Sequence, residues 1–138
     1  MKRLAQEIGE EFGTADWNPL ILEVKDDYPR SLAACTVADV LLVNPVRDGM
    51  NLVAQEGPVL SGRGCALVLS QEAGAAATLA ADALLVNPYD ISETADALHR
   101  ALAMPEAERQ RRNAGLTAAA EAASPARWLG DQLAALGA

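Results

Sequence analysis

Three features of the sequence predict an α/β fold built on a parallel sheet. Short runs that are apolar throughout, at residues 40–43, 65–69 and 83–86, have the character of strands buried on both faces. Stretches with helical spacing separate them, as in successive βαβ units. Two of the runs close on the same dipeptide, Asn44-Pro45 and Asn87-Pro88, which marks the end of a strand. The predicted class is therefore a truncated Rossmann-like domain of about four parallel strands with flanking helices.

Each element has its own warrant. Residues 2–12 place Leu4, Ile8 and Phe12 at helical spacing and stop at Gly13, which predicts a short amphipathic helix. Residues 14–19 (TADWNP) read as a turn-rich linker. Residues 20–24 (LILEV) predict the first strand, ended in solvent by Lys25-Asp26-Asp27. Pro29 suits the first turn of a helix that reaches Ala38. The second strand follows at 39–44, and a polar elbow, Arg47-Asp48-Gly49, opens a helix over about 49–60. Gly57-Pro58 falls late in that helix, where the missing N–H predicts a kink or an early end. A loop at 61–64, the third strand at 65–69, a short Ala-rich helix at 74–81 and the fourth strand at 83–86 come next. A helix with Ile91, Leu98 and Leu102 on one side runs to Met104. Pro105 opens an Ala- and Arg-rich helix, and Pro125 starts the last, with Trp128, Leu129, Leu133 and Leu136 on one face. Residues 1–138 are taken as one partial domain, with the helices of 106–138 packing on it or on a partner.

Composition narrows the function. The 138 residues suffice for one compact domain with a sizeable core. With 19 acidic and 11 basic residues the net charge is −8, which argues against nucleic acid and against an anionic membrane surface as partners. No apolar run approaches the ~20 residues that span a bilayer, and the charged start MKRLAQEIGEEF is unlike a signal peptide, so a cytoplasmic setting is expected. Cys35 and Cys65 lack metal-ligand spacing and read as small core residues rather than a disulfide. Neither a metal site nor a cofactor is expected.

In a parallel α/β sheet, ligands bind beyond the carboxyl ends of the strands. Those ends are residues 44–49, 70–74 and 87–90. The elbow is the most informative of them. The first N–H groups of a helix lack partners inside it and carry the positive end of its dipole, so they suit a phosphate or another anion. An ordinary strand-to-helix connection with Asp48 as the cap fits the same residues. Arg47 suits either an anion or water, and Glu56 by itself reads as a solvated helix carboxylate. Residues 70–74 have the composition of any βα loop. His99 lies beside Arg100 on a charged face, and Arg109, Arg111 and Arg112 read as a solvated face offset by Glu106 and Glu108.

Taken together, several stretches carry a resemblance. Phe12-Gly13-Thr14 with Asp16-Trp17 and Pro19, then ADVLLVNPVRDGMNLVAQE (38–56), LVLSQEAGAA (67–76), ALLVNPYDI (83–91) and ADALHRALAMPEAER (95–109) resemble the C-terminal half of a trehalose-6-phosphate synthase. The likeness runs from about residue 3 to residue 111 and continues weakly to Trp128. That family consists of retaining glycosyltransferases with two facing Rossmann-like domains, the GT-B fold, and the chain would be half of the C-terminal one. The resemblance implies that Asp48 meets hydroxyls of the donor sugar. It implies that the backbone of Gly49, Met50, Asn51, Leu52 and Val53 meets the sugar and diphosphate of a nucleotide sugar, typically UDP-glucose. It also implies that Glu56 holds the ribose hydroxyls, with Arg47 a further candidate. These types suit those tasks: a carboxylate accepts from vicinal hydroxyls, and helix-start amides suit a diphosphate on which charge builds.

Departures from the family matter equally. Gln55 stands where many relatives have lysine, and Gly57-Pro58 is a smaller difference. The N-terminal domain with its acceptor-sugar site and catalytic histidine has no counterpart in this sequence. Nor do two strands of the C-terminal domain and the arginine and lysine that neutralise the donor diphosphate. The resemblance therefore implies a donor-binding portion that is inactive without its missing half, with no certain catalytic residue. The alternatives are a non-catalytic interaction module and a piece of a pseudo-glycosyltransferase. In a sheet of order 3-2-1-4-5-6 the absent strands leave a gap between residues 20–24 and 39–44. Either the first strand moves across to pair with the second, or another chain fills the space. Right-handed crossovers put their helices on one face, leaving the other to the N-terminal helix, the last two helices or a partner. The expected partner is a second copy, with Trp128 and the first strand near the contact, or a chain supplying the missing half.

Overall fold

The computed structural model describes residues 2–122 and 124–137. In chain order it contains α1 (Lys2–Phe12), α2 (Tyr28–Val37), β1 (Val40–Val43), α3 (Leu52–Leu60), β2 (Ala66–Ser70), α4 (Ala76–Leu79), β3 (Leu84–Val86), α5 (Ile91–Leu102), α6 (Glu106–Ala122) and α7 (Pro125–Ala135). The strands form one parallel sheet in the order β1-β2-β3, with Val40 opposite Ala66 and Val68 opposite Leu84. This is the α/β class the alternation of strand and helix predicts.

Successive residues of a strand point to opposite faces, and β2, buried along its whole length, feeds both. Leu67 and Leu69 join Val43, Ala54 of α3, Leu79 of α4 and Leu116 of α6 on one face. Ala66 and Val68 join Leu84, Val86 and Ala97 and Ala101 of α5 on the other. The two crossover helices, α3 and α4, thus share a face, as right-handed connections require. The opposite face is closed by α5. It is not closed by α1, α6 or α7, and α6 lies instead beside α3 and α4. The reason is topological: β3 is the last strand, so α5 is not a crossover and is free to fold back on the uncovered side.

The first expected strand is absent. Residues 20–24 form no strand, Ile21 is 76% exposed, and the sheet has three strands. A strand is stable only where its N–H and C=O groups find a ladder, and this segment does not reach β1. It is tied instead to α2, through a 3.0 Å ion pair between Glu23 and Arg30. The shift of residues 20–24 toward the second strand therefore does not occur.

Helix α3 begins at Leu52, later than the pattern suggested, and runs through Pro58 to the expected end at Leu60, so of the two outcomes expected at Pro58, a kink or an early end, the early end does not occur. A Cβ at Gly57 would overlap the Leu41 side chain, so glycine is what lets this helix approach β1. The Pro58 carbonyl accepts from Asn113 Nδ2 at 3.2 Å and Thr117 Oγ1 at 3.3 Å, which joins α3 to α6. Only part of the arginine run is a solvated face: Arg111 is exposed and Arg112 pairs with Glu108 as expected, but Arg109 is mostly buried. Arg109 donates to the carbonyls of Arg63 and Gly64, both at 2.7 Å, Arg111 pairs with Asp82 at 3.1 Å, and Arg112 reaches both Glu108 and the Asp82 carbonyl. These bonds fasten α6 to the turns before β2 and β3. Sequence spacing within α6 showed only the glutamates on the same helix, not the carbonyls 45 and 46 residues away.

Candidate donor site at the carboxyl edge

The elbow after β1 is held by its own side chains. Asp48 Oδ1 accepts from the Met50 N–H at 3.0 Å, and Asp48 Oδ2 from Asn51 Nδ2 at 3.0 Å. Asn51 adopts a left-handed backbone (φ 66°), and its Oδ1 accepts from the Ala54 N–H at 2.9 Å. Asparagine is among the few residues that take this conformation readily. The cap of α3 is therefore Asn51, not Asp48. Because the helix starts at Leu52, Asp48 lies a turn too early to cap it and instead orients the residue that does. The Met50 N–H, followed by the Asn51 side chain, holds the Asp48 carboxyl below the usual aspartate range. Asp48 is accordingly a carboxylate at neutral pH.

Two of the helix-start amides remain available. Met50 and Ala54 donate within the elbow, whereas the N–H groups of Leu52 and Val53 have no hydrogen-bond partner among the described residues. These are the amides a helix N-terminus offers an anion.

The loop after β2 is joined to the elbow by backbone. Asp48 and Ala73 form an isolated parallel bridge, in which the Gly74 N–H donates to the Asp48 carbonyl at 2.8 Å. A Cβ at Gly74 would overlap the Gly49 carbonyl, so only glycine permits this approach. The Gln71 N–H in turn donates to the Val86 carbonyl at 3.0 Å, and Asp90 caps α5 by accepting from the Glu93 N–H. The elbow and the loop after β2 are thus joined, and that loop is bonded in turn to the end of β3, so residues 70–74 are more than a passive connection. The signal for this was Gly74, which the composition of the loop did not distinguish from any turn glycine. Asn44 Oδ1, at the carboxyl end of β1, is buried with no partner among the described residues.

Two hollows flank the elbow. The first, about 480 Å³, is polar and lined by Arg47, Asp48, Gly49, Gln71, Glu72 and Gly74. The second, about 920 Å³, is a largely apolar groove that includes Tyr28, Met50, Leu52, Glu56 and Trp128. The structure therefore brings Arg47, Asp48 and Gly49 together, and separately Met50, Leu52 and Glu56. Asp48 and Glu56 do not share a cavity, and Val53 lines neither. Tyr28 and Trp128 were not singled out as groove residues, because only the packing of α2, α3 and α7 around the groove reveals them. The groove carries two carboxylates, Glu56 and Glu121, and no lysine or arginine. Glu56 also lies near Cys35, whose thiol is raised in pKa chiefly by burial and then by that carboxylate. Burial likewise raises Cys65, and both cysteines are free. His99 is exposed on α5. No group of metal-ligating side chains occurs among the described residues.

A parallel sheet with strand-to-helix loops at its carboxyl edge, one opening on unpaired helix amides, has the architecture of a Rossmann-like unit. Comparison with known proteins makes the class specific. The family model described as Glycosyltransferase family 20 matches residues 1–137. The bifunctional trehalose-6-phosphate synthase/phosphatase of Thermoproteus tenax is 44% identical over 119 residues, which is 81% of this chain and 16% of that protein. The trehalose-6-phosphate synthase of Citrobacter koseri is 47% identical over 116 residues, 80% of this chain and 24% of that one. Among solved structures, an α,α-trehalose-phosphate synthase (UDP-forming) from Burkholderia vietnamiensis shares 43% identity with a TM-score of 0.86, over 98% of this chain and 31% of that chain. A structure described as trehalose-6-phosphate from E. coli bound with UDP-2-fluoro glucose shares 39% identity with a TM-score of 0.87, over 98% and 30%. The chain belongs to glycosyltransferase family 20, and its likeness is to the C-terminal part of a trehalose-6-phosphate synthase of GT-B fold. It spans about a quarter or less of the length of these curated relatives.

Proposed function

We propose that this chain is the donor-binding portion of a trehalose-6-phosphate-synthase-like glycosyltransferase, taking a nucleotide sugar of the UDP-glucose type and inactive in transfer without the rest of the fold. The observation that carries this reading is the pair of free amides at Leu52 and Val53, at the start of the helix that follows Asp48 in the chain and carries Glu56. The donor diphosphate lies on those amides, where charge that builds on the leaving nucleotide is stabilised by fixed dipoles. Asp48, ionised at neutral pH, accepts hydrogen bonds from the donor sugar on one side, and Arg47 lines the same hollow as the one side-chain cation beside the phosphates. Glu56 accepts from the vicinal ribose hydroxyls on the other side. Gly49, Met50 and Asn51 shape the turn that presents these groups.

A second reading, a module that keeps the fold for interaction alone, is favoured by one observation: the Glu56 groove has no cation to offset its two carboxylates and the incoming phosphates. Titration calorimetry with UDP and UDP-glucose separates the two. The donor reading expects weak binding, reduced at least tenfold by Glu56→Ala. No heat at millimolar ligand, or binding indifferent to Glu56→Ala, removes it. The partner of the proposal is a second copy or a chain that supplies the missing half. Its setting is the cytoplasm, with which the two free thiols are consistent. No helix among the described residues is long and apolar enough to cross a membrane.

A further inference from the structure

We propose that Glu72 is a specificity-determining residue of the donor-sugar hollow. It accepts from a hydroxyl of a neutral hexose and turns away a nucleotide sugar whose hexose bears a carboxylate, a role that rests on the donor reading and extends it past Asp48.

The turn after β2 presents Glu72 from a fixed backbone. Ser70 is fully buried; its Oγ accepts from the Glu72 N–H at 3.1 Å, and its carbonyl accepts from the Ala73 N–H at 3.1 Å. On the other side the Glu72 carbonyl accepts from the Asp48 N–H at 3.4 Å. Both backbone polar groups of Glu72 are therefore engaged, one within its own turn and one with the elbow. With the bond from the Gly74 N–H to the Asp48 carbonyl, the two loops form a single floor under the hollow. A side chain carried on such a floor meets a ligand at little cost in ordering the backbone.

The charges of the hollow define what it takes. Its polar side chains are those of Arg47, Asp48, Gln71 and Glu72. The Asp48 carboxylate is engaged with Met50 and Asn51 in the elbow, whereas neither Arg47 nor Glu72 is in an ion pair with any described residue. Arg47 and Asp48 alone would leave the hollow neutral, and Glu72 tips it to an excess of negative charge. Two carboxylates and the Gln71 amide offer sugar hydroxyls several acceptors and a donor. A carboxylate on the sugar would bring a third negative group to a hollow with a single guanidinium. Juxtaposed like charges are a recurrent means of rejecting a wrong ligand.

Titration calorimetry of this chain with UDP, UDP-glucose and UDP-glucuronate tests the role. We expect UDP-glucuronate to bind about tenfold more weakly than UDP-glucose. Glu72→Gln keeps an accepting oxygen and removes the charge. It should weaken UDP-glucose about threefold, as a neutral acceptor replaces a charged one, and bring the two sugars to about the same affinity. UDP has no sugar to reach Glu72 and should bind parent and variant alike. Equal binding of the two sugars by the parent, or a gap that persists in Glu72→Gln and so belongs to Asp48, overturns the proposal while the donor reading stands. Loss of UDP binding in Glu72→Gln gives the residue a structural role instead and overturns it too. A parent chain that binds no UDP removes the donor reading and this role together, so the two failures are told apart by the UDP titration.

Discussion

At the scale of single residues, Asn51 determines the elbow. Its positive φ turns the chain into α3, its Oδ1 caps the helix, and its Nδ2 fixes Asp48. Asn51→Ala loses both side-chain bonds and places a Cβ-bearing residue without local hydrogen bonding in the left-handed region. Urea denaturation should show a loss of about 1–2 kcal/mol. Asn51→Gly keeps the backbone angle without strain and should lose less than half as much. The depressed pKa of Asp48 sets the sign of the acid response: its contribution is complete above the ordinary aspartate value and is lost as pH falls through the lower folded value. The polar residues of this turn were legible in the order Arg47-Asp48-Gly49-Met50-Asn51. Which of them caps the helix was not, because Asp and Asn are equal as caps by type and only the backbone angle at Asn51 decides between them.

At the scale of elements, α6 shows how far a helix can be misread from its own residues. Its basic run looked like a face in water, yet Arg109 is buried to 15% exposure against two carbonyls, while Arg111 remains 63% exposed beside Asp82. Arg109→Ala should destabilise the chain by about 2 kcal/mol, since it strands two accepting carbonyls that a charged donor had satisfied. Arg111→Ala should cost less than about 1 kcal/mol, as exposed pairs do. Equilibrium denaturation of the two variants side by side measures the difference. Strands β1, β2 and β3 were legible to within a residue or two, because burial on both faces leaves an unbroken apolar run. Residues 20–24 carried the same signal and form no strand. Apolar pattern reports what a segment would bury, and pairing depends on a neighbour that lies elsewhere in the fold.

At the scale of the whole molecule, the chain has two well-packed faces and one unfinished edge. The closure of the second face by α5 was not legible, because helical periodicity gives a helix an apolar side without saying which layer receives it. The contrast between the joined loops and the free segment is testable with trypsin. Lys25 and Arg47 are each followed by aspartate, so the two bonds are similar in intrinsic susceptibility. Lys25 lies in the unpaired stretch, and Arg47 next to the bridge between Asp48 and Ala73. Limited digestion followed by mass spectrometry should find cleavage after Lys25 well before cleavage after Arg47. The outer edge of β1, at Val40 and Leu42, pairs with no strand among the described residues, and this has a consequence of another kind. An uncovered apolar edge can template like edges into ordered aggregates, and natural sheets guard such edges with charge or proline. Here the guards stand just outside the strand, Asp39 before it and Pro45 after it, within a chain that is acidic overall. Repulsion between copies of the chain therefore rests at neutral pH on its carboxylates, and association of one bare edge with another is expected to peak near the isoelectric point of about 4.5, where that repulsion is smallest, and to fall again in stronger acid as the 11 lysines and arginines leave the chain positive.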